Sequence, residues 1–294
     1  NISREMLQNN PVIEKIKNGI TIKILNELNL FQKNENNKYI DFWKNFGSVL
    51  KEGLYEFNQH HEKILPLLRF KTSKSKDFIS LDEYLKIMNK NQNEIYYFAN
   101  IENDNLKDSP QLEAFIDRDI PVLFMTDAVD EFWIQNINKY KEKDFKSITK
   151  GKVDLSKFST RNKNENKNIN KNKSNNINDL INVLKNELKE KISDVIVSDR
   201  LIKSPVLLTA DEKGMDINME KLMKMHNKNI PENKKILEIN ENHPMIIKLS
   251  ESLKKIDHKK IAILLIDQAN ILEGNALKNP TNYIDSLTEL FIKQ

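Results

Sequence analysis

Residues 161–176 divide the sequence into two parts. This segment consists almost entirely of Asn and Lys, with a single acidic residue and a single Ile. It therefore cannot bury enough apolar surface to offset the conformational entropy lost on ordering. We predict a solvated linker over residues 159–176, with globular structure on either side. Its basic charge suits nucleic acid, but aromatic residues for base stacking are absent, so no nucleic-acid partner is predicted.

Before this linker, the pattern of apolar residues changes at residue 93. Residues 1–92 form amphipathic helical patterns, the first starting at Asn10-Pro11, an N-cap followed by proline at the first helical position. Ser80-Leu-Asp-Glu83 is a capping box that starts another helix. Residues 93–158 instead alternate between β-rich runs and short helical segments, which is typical of a small parallel sheet covered by helices. We predict a helical segment followed by a small α/β/α subdomain.

The part after the linker, residues 177–294, is predicted to form an α+β domain. Short β-rich runs alternate with helices, and two strong helices close the sequence. The first spans about Lys259–Glu273 and stops at Gly274, because glycine is the usual residue just past a helix end. The second starts at Pro280. The predicted fold class is therefore α/β in the broad sense, a helix-rich α+β mixture that ends in a helix pair.

Composition excludes several kinds of chemistry. The six glycines are spread singly and cysteine is absent, which excludes a phosphate-binding loop, disulfides and thiol nucleophiles. The five histidines lack metal-ligand spacing, so no metal site is predicted, and the adjacent acids Asp130-Glu131 are typical of a first helical turn. The net charge of +4 is small for this length, and the apolar run Ile261–Ile266 is too short to span a bilayer. We predict no membrane span and no self-sufficient active site.

The segment Met215–Met225 has an unusual apolar composition. If it is helical, Met215, Met219, Leu222 and Met223 form one stripe. Methionine has a flexible thioether side chain that adapts to irregular or changing partners. The spacing alone leaves two interpretations open, namely an ordinary core face or an adaptable surface for other polypeptides.

Short motifs along the whole sequence resemble those of one protein family. Residues 1–8 read Asn-Ile-Ser-Arg-Glu-Met-Leu-Gln, which resembles a signature in the middle domain of the heat-shock protein 90 chaperones. The resemblance continues in the same order through Phe42–Gly53, Leu67–Phe70, Ser80–Tyr84, Asn91–Tyr97, Asp127–Glu131, Ser198–Leu201, Asn218–Lys221 and Leu237–His243. The sequence looks closest to the bacterial, HtpG-like branch. It begins with Asn rather than Met, and we expect a fragment comprising the C-terminal part of the middle domain and the C-terminal dimerisation domain.

The resemblance implies an ATP-dependent molecular chaperone of the stress response, which binds and remodels non-native client proteins. In that family, ATP with Mg²⁺ binds an N-terminal domain, which we expect to lie outside this sequence. The fragment alone is therefore expected to be inactive as an ATPase. By its match to the motif, Arg4 would contact the γ-phosphate of that nucleotide, and Gln8 lies in the same loop.

The resemblance also implies which residues face the client. By position, the apolar segment supplies Met215, Met219, Leu222 and Met223. Bacterial members of the family place a client-contacting Trp just after the Asp-Glu pair of the middle domain. Here Phe132 occupies that position and Trp133 follows it, so the choice between the two aromatic residues stays open.

The last two helices are expected to pair with those of a second protomer in a four-helix bundle. The residues expected at this homodimer interface are Ile261, Leu264, Leu265, Ile284, Leu287, Leu290 and Phe291. The expected location is the bacterial cytoplasm, with an organelle as the alternative. From the residues alone, the alternative function is an ATP-independent helical scaffold or adaptor that uses the same apolar surfaces.

Overall fold

The computed structural model describes residues 10–56, 58–100, 106–159, 171–226 and 233–292. It is rich in helix and contains two mixed sheets, which confirms the predicted fold class. Arg4 and Gln8 lie outside the described residues. No described helix has both the length and the apolar character needed to cross a bilayer.

The structure begins with two long helices, α1 (Pro11–Asn34) and α2 (Asn36–Glu56), followed by the short helix α3 (His61–Ile64). The start of α1 is the predicted one, because the Asn10 side chain accepts a hydrogen bond from the backbone N–H of Val12 at 2.9 Å. The two long helices pack through Leu25, Tyr39, Trp43 and Leu54, which belong to the first hydrophobic core.

Helix α4 (Leu81–Ile87) starts at the predicted capping box. The backbone N–H of Glu83 donates to Ser80 Oγ at 3.2 Å, and the backbone N–H of Ser80 donates to Glu83 Oε2 at 2.7 Å. Both contacts satisfy N–H groups that the helix itself leaves unpaired. This local pattern therefore determines where α4 begins.

A five-stranded sheet follows, in the order β1-β3-β2-β5-β4. The central strand β2 is parallel to both of its neighbours, as predicted, whereas the two edge strands are antiparallel. The strands are β1 (Lys71–Thr72), β2 (Glu94–Ala99), β3 (Leu123–Met125), β4 (Lys139–Tyr140) and β5 (Lys143–Ser147).

Both faces of this sheet are buried. Alternate residues of β2 point to opposite sides, so Ile95 joins the first core with helices α1 and α2, whereas Phe98 joins a second core. The short helix α5 (Glu113–Asp117) contributes to that second core, and helix α6 (Asp130–Asn136) contributes Trp133 to the first.

The remaining residues form a second unit with its own core. Its three-stranded sheet has the order β6-β8-β7, with β8 parallel to β6 and antiparallel to β7. Helix α7 starts within the segment expected to be a linker and includes its residues 171–176. The elements are α7 (Lys171–Leu188), β6 (Ile192–Val197), β7 (Val206–Thr209), α8 (Ile217–His226), β8 (Lys235–Ile239), α9 (Pro244–Glu251), α10 (His258–Leu272) and α11 (Pro280–Ile292).

Candidate functional site

The methionine-rich segment forms helix α8, but the helix begins at Ile217 and so leaves Met215 just before it. Asp216 starts the helix, because its Oδ1 accepts a hydrogen bond from the backbone N–H of Asn218 at 3.2 Å. The helix therefore contains three of the four residues of the predicted stripe, namely Met219, Leu222 and Met223.

The side chains of the predicted stripe differ in burial. Leu222 is buried, together with Ile217, which belongs to the core of the second unit. Met215, Met219 and Met223 are half-buried, so part of each thioether side chain stays accessible. The helix is thus anchored by Ile and Leu, and methionines line the boundary between the core and the surface.

The two candidate aromatic residues of α6 have opposite environments. Trp133 is fully buried, and its Nε1 donates to Asp130 Oδ1 at 2.7 Å. Phe132 is half-buried and meets the ring of Tyr55 edge-on, with ring centroids 5.8 Å apart. Tyr55 is exposed. Of the two aromatic residues, Phe132 is therefore the one with an accessible face.

The carboxylates at the start of α6 do lie in its first turn, as predicted, but both are buried. Lys51 Nζ bridges Asp127 and Asp130, at 2.7 and 2.8 Å from their Oδ2 atoms. Lys51 is itself buried, so this contact compensates a charge that would otherwise be strongly disfavoured in the core. The bridge holds α6, and with it Phe132, against α2.

Glu131 is 2% exposed, and its Oε1 has no hydrogen-bond partner among the described residues. Burial raises the pKa of Glu131 to about 8, and the nearby carboxylates of Asp216 and Asp130 contribute in the same direction. At neutral pH this carboxyl group is therefore protonated.

Asp216 connects α8 to the five-stranded sheet. Its carboxylate accepts hydrogen bonds from Ser147 Oγ at 2.6 Å and from Thr149 Oγ1 at 2.9 Å. Because the charge of Asp216 also acts on Glu131, the start of α8 lies near the start of α6. The start of the methionine helix is therefore held against the five-stranded sheet, at the junction of the two units.

Further buried polar contacts cross this junction. Arg200 forms an ion pair with Glu238 at 3.2 Å and donates to the carbonyl oxygens of Ile148 and, at 2.6 Å, Gly151. Gly151 has a φ of +65°, in the left-handed region that favours glycine, whereas the Glu212 carboxylate that a Cβ there would meet belongs to a flexible side chain that can move aside.

Helix α8 is also tied to the end of α10. Lys221 Nζ donates to the Glu273 carbonyl oxygen at 2.6 Å, and Gln111 Nε2 donates to the Glu273 carboxylate at 2.8 Å. Burial raises the pKa of Glu273. The methionine helix is thus connected both to the sheet unit and to the helix pair.

The residues expected at a dimer interface fall into two groups. Ile261, Leu264 and Leu265 of α10 are buried within this chain, so their side chains are already covered. On α11, Ile284 is 56% exposed and Leu287 is half-buried, and the side chains of Leu290 and Phe291 lie outside those described. Of the residues predicted for the interface, those with accessible described side chains are therefore Ile284 and Leu287 on α11.

Sequence reasoning did not single out Asp216, Ser147 and Thr149 as a group. Asp216 is 69 residues from Ser147 in sequence, and the hydroxyl residues carry no motif. The available signal was local, an Asp just before a helix. Among the described residues, no group of three or more His, Asp or Glu side chains is placed to hold a metal ion.

The chain thus combines a helical part and a five-stranded sheet with a second unit that contains the methionine helix and ends in a helix pair. The family model described as Hsp90 protein matches residues 1–294. The chain therefore belongs to the Hsp90 family.

Curated relatives narrow this similarity to one branch. The chain is 40% identical to "Chaperone protein HtpG" of Roseobacter denitrificans over 293 residues, which cover 98% of this chain and 47% of the relative. The proteins of the same name from Rhizobium etli and from the Wolbachia of Brugia malayi are 38% and 36% identical, over 99% and 100% of this chain and 46% and 47% of the relative. The chain thus spans about half the length of the curated relatives it matches.

Proposed function

We propose that this chain is the client-binding and dimerising part of an ATP-dependent molecular chaperone. One observation carries the proposal: Met219 and Met223 are half-exposed on a helix that buried Ile217 and Leu222 hold in place. A firmly anchored helix that presents flexible thioethers suits partners of varying shape. The names of the curated relatives support the same class of function.

Within this proposal, accessible residues contact client. These are Met215 just before α8, Met219 and Met223 on α8, and Phe132 on α6. Leu222 and Trp133 are buried, so we assign them to positioning the two helices. Phe132 takes the aromatic role because its neighbour Trp133 has no accessible surface.

The client surface is tested in the full-length protein by suppression of the aggregation of a thermally unfolded substrate. Met219→Asp with Met223→Asp should weaken suppression, because two charges would have to be desolvated against apolar client. Met225→Asp is the matched control, since Met225 is exposed on the same helix but lies off the stripe. If the double variant suppressed aggregation as well as the control, the methionines would have a structural role and no role in client binding.

The dimer is proposed to form through α11. Ile284 and Leu287 present apolar surface there, and a two-fold contact would bury the same patch on both copies. Sedimentation at micromolar concentration should show a dimer that Leu287→Asp dissociates and that the exposed-site control Asn282→Asp preserves. A chain that is monomeric before any substitution would refute the dimer.

ATP dependence is proposed for the longer protein. ATP with Mg²⁺ would bind outside this chain, and Arg4 would contact the γ-phosphate, with Gln8 in the same loop. Arg4→Ala in the full-length protein should lower ATP turnover and spare nucleotide binding. Unchanged turnover would refute this role, and client protection that is independent of ATP would favour the scaffold or adaptor. We place the protein in the bacterial cytoplasm, with an organelle as the alternative.

A further inference from the structure

Glu113 is the first residue of α5, and its carboxylate binds a loop of the second unit. The backbone N–H groups of Ile202 and Lys203 donate to Glu113 Oε2 at 2.6 and 2.7 Å. Ser204 donates to Glu113 Oε1 twice, from its backbone N–H at 3.1 Å and from its hydroxyl at 2.6 Å. These partners follow Glu113 by 89 to 91 positions in the sequence. One carboxylate of the sheet unit therefore accepts four hydrogen bonds from consecutive residues of the second unit.

The loop is held in the conformation that receives this carboxylate. Asn240, which follows β8, donates from its Nδ2 to the carbonyl oxygens of Ile202 at 3.2 Å and of Ser204 at 3.1 Å. Since these carbonyl groups bind Asn240, the N–H groups of residues 202–204 remain directed at Glu113. Successive N–H groups that converge in this way form an anion-binding concavity, and hydrogen bonds to an ionised acceptor are stronger than neutral ones. The loop is thus a preformed carboxylate site.

This contact attaches the second unit to a different element from the contacts described above. Asp216 and the Arg200 side chain bind β5 and the residues that follow it. Glu113 lies instead on α5, where the backbone N–H of Ala114 also donates to the Arg200 carbonyl oxygen at 3.1 Å. Two units of one chain move relative to each other unless their interface restricts them. Attachment to both β5 and α5 restricts rotation of the second unit more than either attachment alone.

We propose that Glu113 is a positioning residue, whose carboxylate fixes the orientation of the second unit on the sheet unit. The functional consequence rests on the proposed client surface, which comprises Phe132 in the sheet unit and Met219 and Met223 in the second unit. While the carboxylate occupies the loop, a client segment that contacts both units meets these side chains at a fixed separation.

Glu113→Ala tests the carboxylate directly, because it leaves the donors of the loop in place for a free carboxylate. Orientation is measured by double electron–electron resonance between nitroxide labels on Ser48→Cys in α2 and Asn186→Cys in α7. Both positions are exposed, and the sequence has no other cysteine. Labelled chain is diluted with unlabelled chain, so that distances between copies do not contribute. Each protein is measured in acetate and in chloride at equal ionic strength, with the exposed Glu52→Ala as the matched control.

In chloride, the Glu113→Ala variant should show a broader distance distribution than the unsubstituted chain. Hydrogen exchange of the amides of residues 202–204 should be about tenfold faster, because hydrogen bonds to a charged group are lost. Acetate should reverse both changes, and Glu52→Ala should behave as the unsubstituted chain does. An unchanged distance distribution in Glu113→Ala would overturn the proposal. A broadened distribution that acetate does not narrow would also overturn it, since Glu113 would then act through packing.

The client is absent from both measurements, so this proposal and the client surface fail separately. If Met219→Asp with Met223→Asp left aggregation suppression intact, the client surface would be refuted and the orientation result would stand. In the full-length protein, Glu113→Ala should weaken suppression in chloride and regain it in acetate. Full suppression in chloride by this variant, despite a broadened distance distribution, would overturn the functional part of the proposal.

Discussion

The buried Glu131, whose Oε1 has no hydrogen-bond partner among the described residues, makes stability depend on pH in a direction unusual for a carboxylic acid. Its pKa rises from 4.5 to about 8 on folding, mainly because of burial. Between these values the folded chain holds a proton that the unfolded chain has released, so the contribution of Glu131 to stability is greatest below pH 4.5 and falls as pH rises to about 8. At about 1.4 kcal/mol per pH unit, the accumulated cost is about 3 kcal/mol at pH 7 and about 5 kcal/mol above pH 8.

Glu131→Gln removes this dependence, because an amide does not ionise. The free energy of unfolding of the variant, compared with that of the unsubstituted chain, should therefore increase by about 3 kcal/mol between pH 4.5 and pH 7. Any difference in packing or hydrogen bonding between Glu131 and Gln changes the free energy of unfolding by the same amount at every pH. The prediction therefore concerns how the difference between the two proteins changes with pH. In the Asp216→Asn background the change should be smaller, because the charge that helps to raise the pKa of Glu131 is gone.

Urea unfolding at a series of pH values measures this difference. Tryptophan fluorescence is a suitable signal, because Trp133 and Trp43 both lie in the core beside α6. Glu190→Gln, at an exposed position in the turn after α7, is the matched control and should leave the pH dependence unchanged. If the free energies of unfolding of Glu131→Gln and of the unsubstituted chain differed by the same amount at every pH between 5 and 8, the reasoning would be refuted.

Three further predictions follow from the packing. Lys51→Met leaves Asp130 buried without its cation and should cost about 3–5 kcal/mol in urea unfolding, with partial recovery in the Lys51→Met/Asp130→Asn double variant. Ser80→Ala removes the capping box of α4 and should cost about 1 kcal/mol by the same measurement, and no change would argue against that cap. Leu222→Ala should cost about 2–5 kcal/mol, whereas Met219→Ala, at a half-buried site, should cost less; the reverse order would contradict the assigned roles.

Local patterns in the sequence determined where several elements begin. Asn10-Pro11 starts α1 and the Ser80–Glu83 capping box starts α4, because each pattern satisfies helix N–H groups within a few residues. The parallel core of the five-stranded sheet also followed from alternating strand and helix patterns. By contrast, the edge strands β1 and β4 are only two residues long, which is too short to show the alternating apolar pattern of a strand.

Only the tertiary structure decided which apolar side chains are accessible. Neighbouring positions such as Phe132 and Trp133 have the same kind of side chain, and their burial depends on what packs on each side of α6. The same holds for Leu264 on α10, which is covered within the chain, and Ile284 on α11, which is exposed. Similarly, burial raises the pKa of Glu131, and the charge of Asp216, 85 positions further along the sequence, raises it further. The spacing of apolar residues along the sequence predicts which side chains share one face of a helix or strand. Burial and pKa instead depend on distant segments that folding brings together.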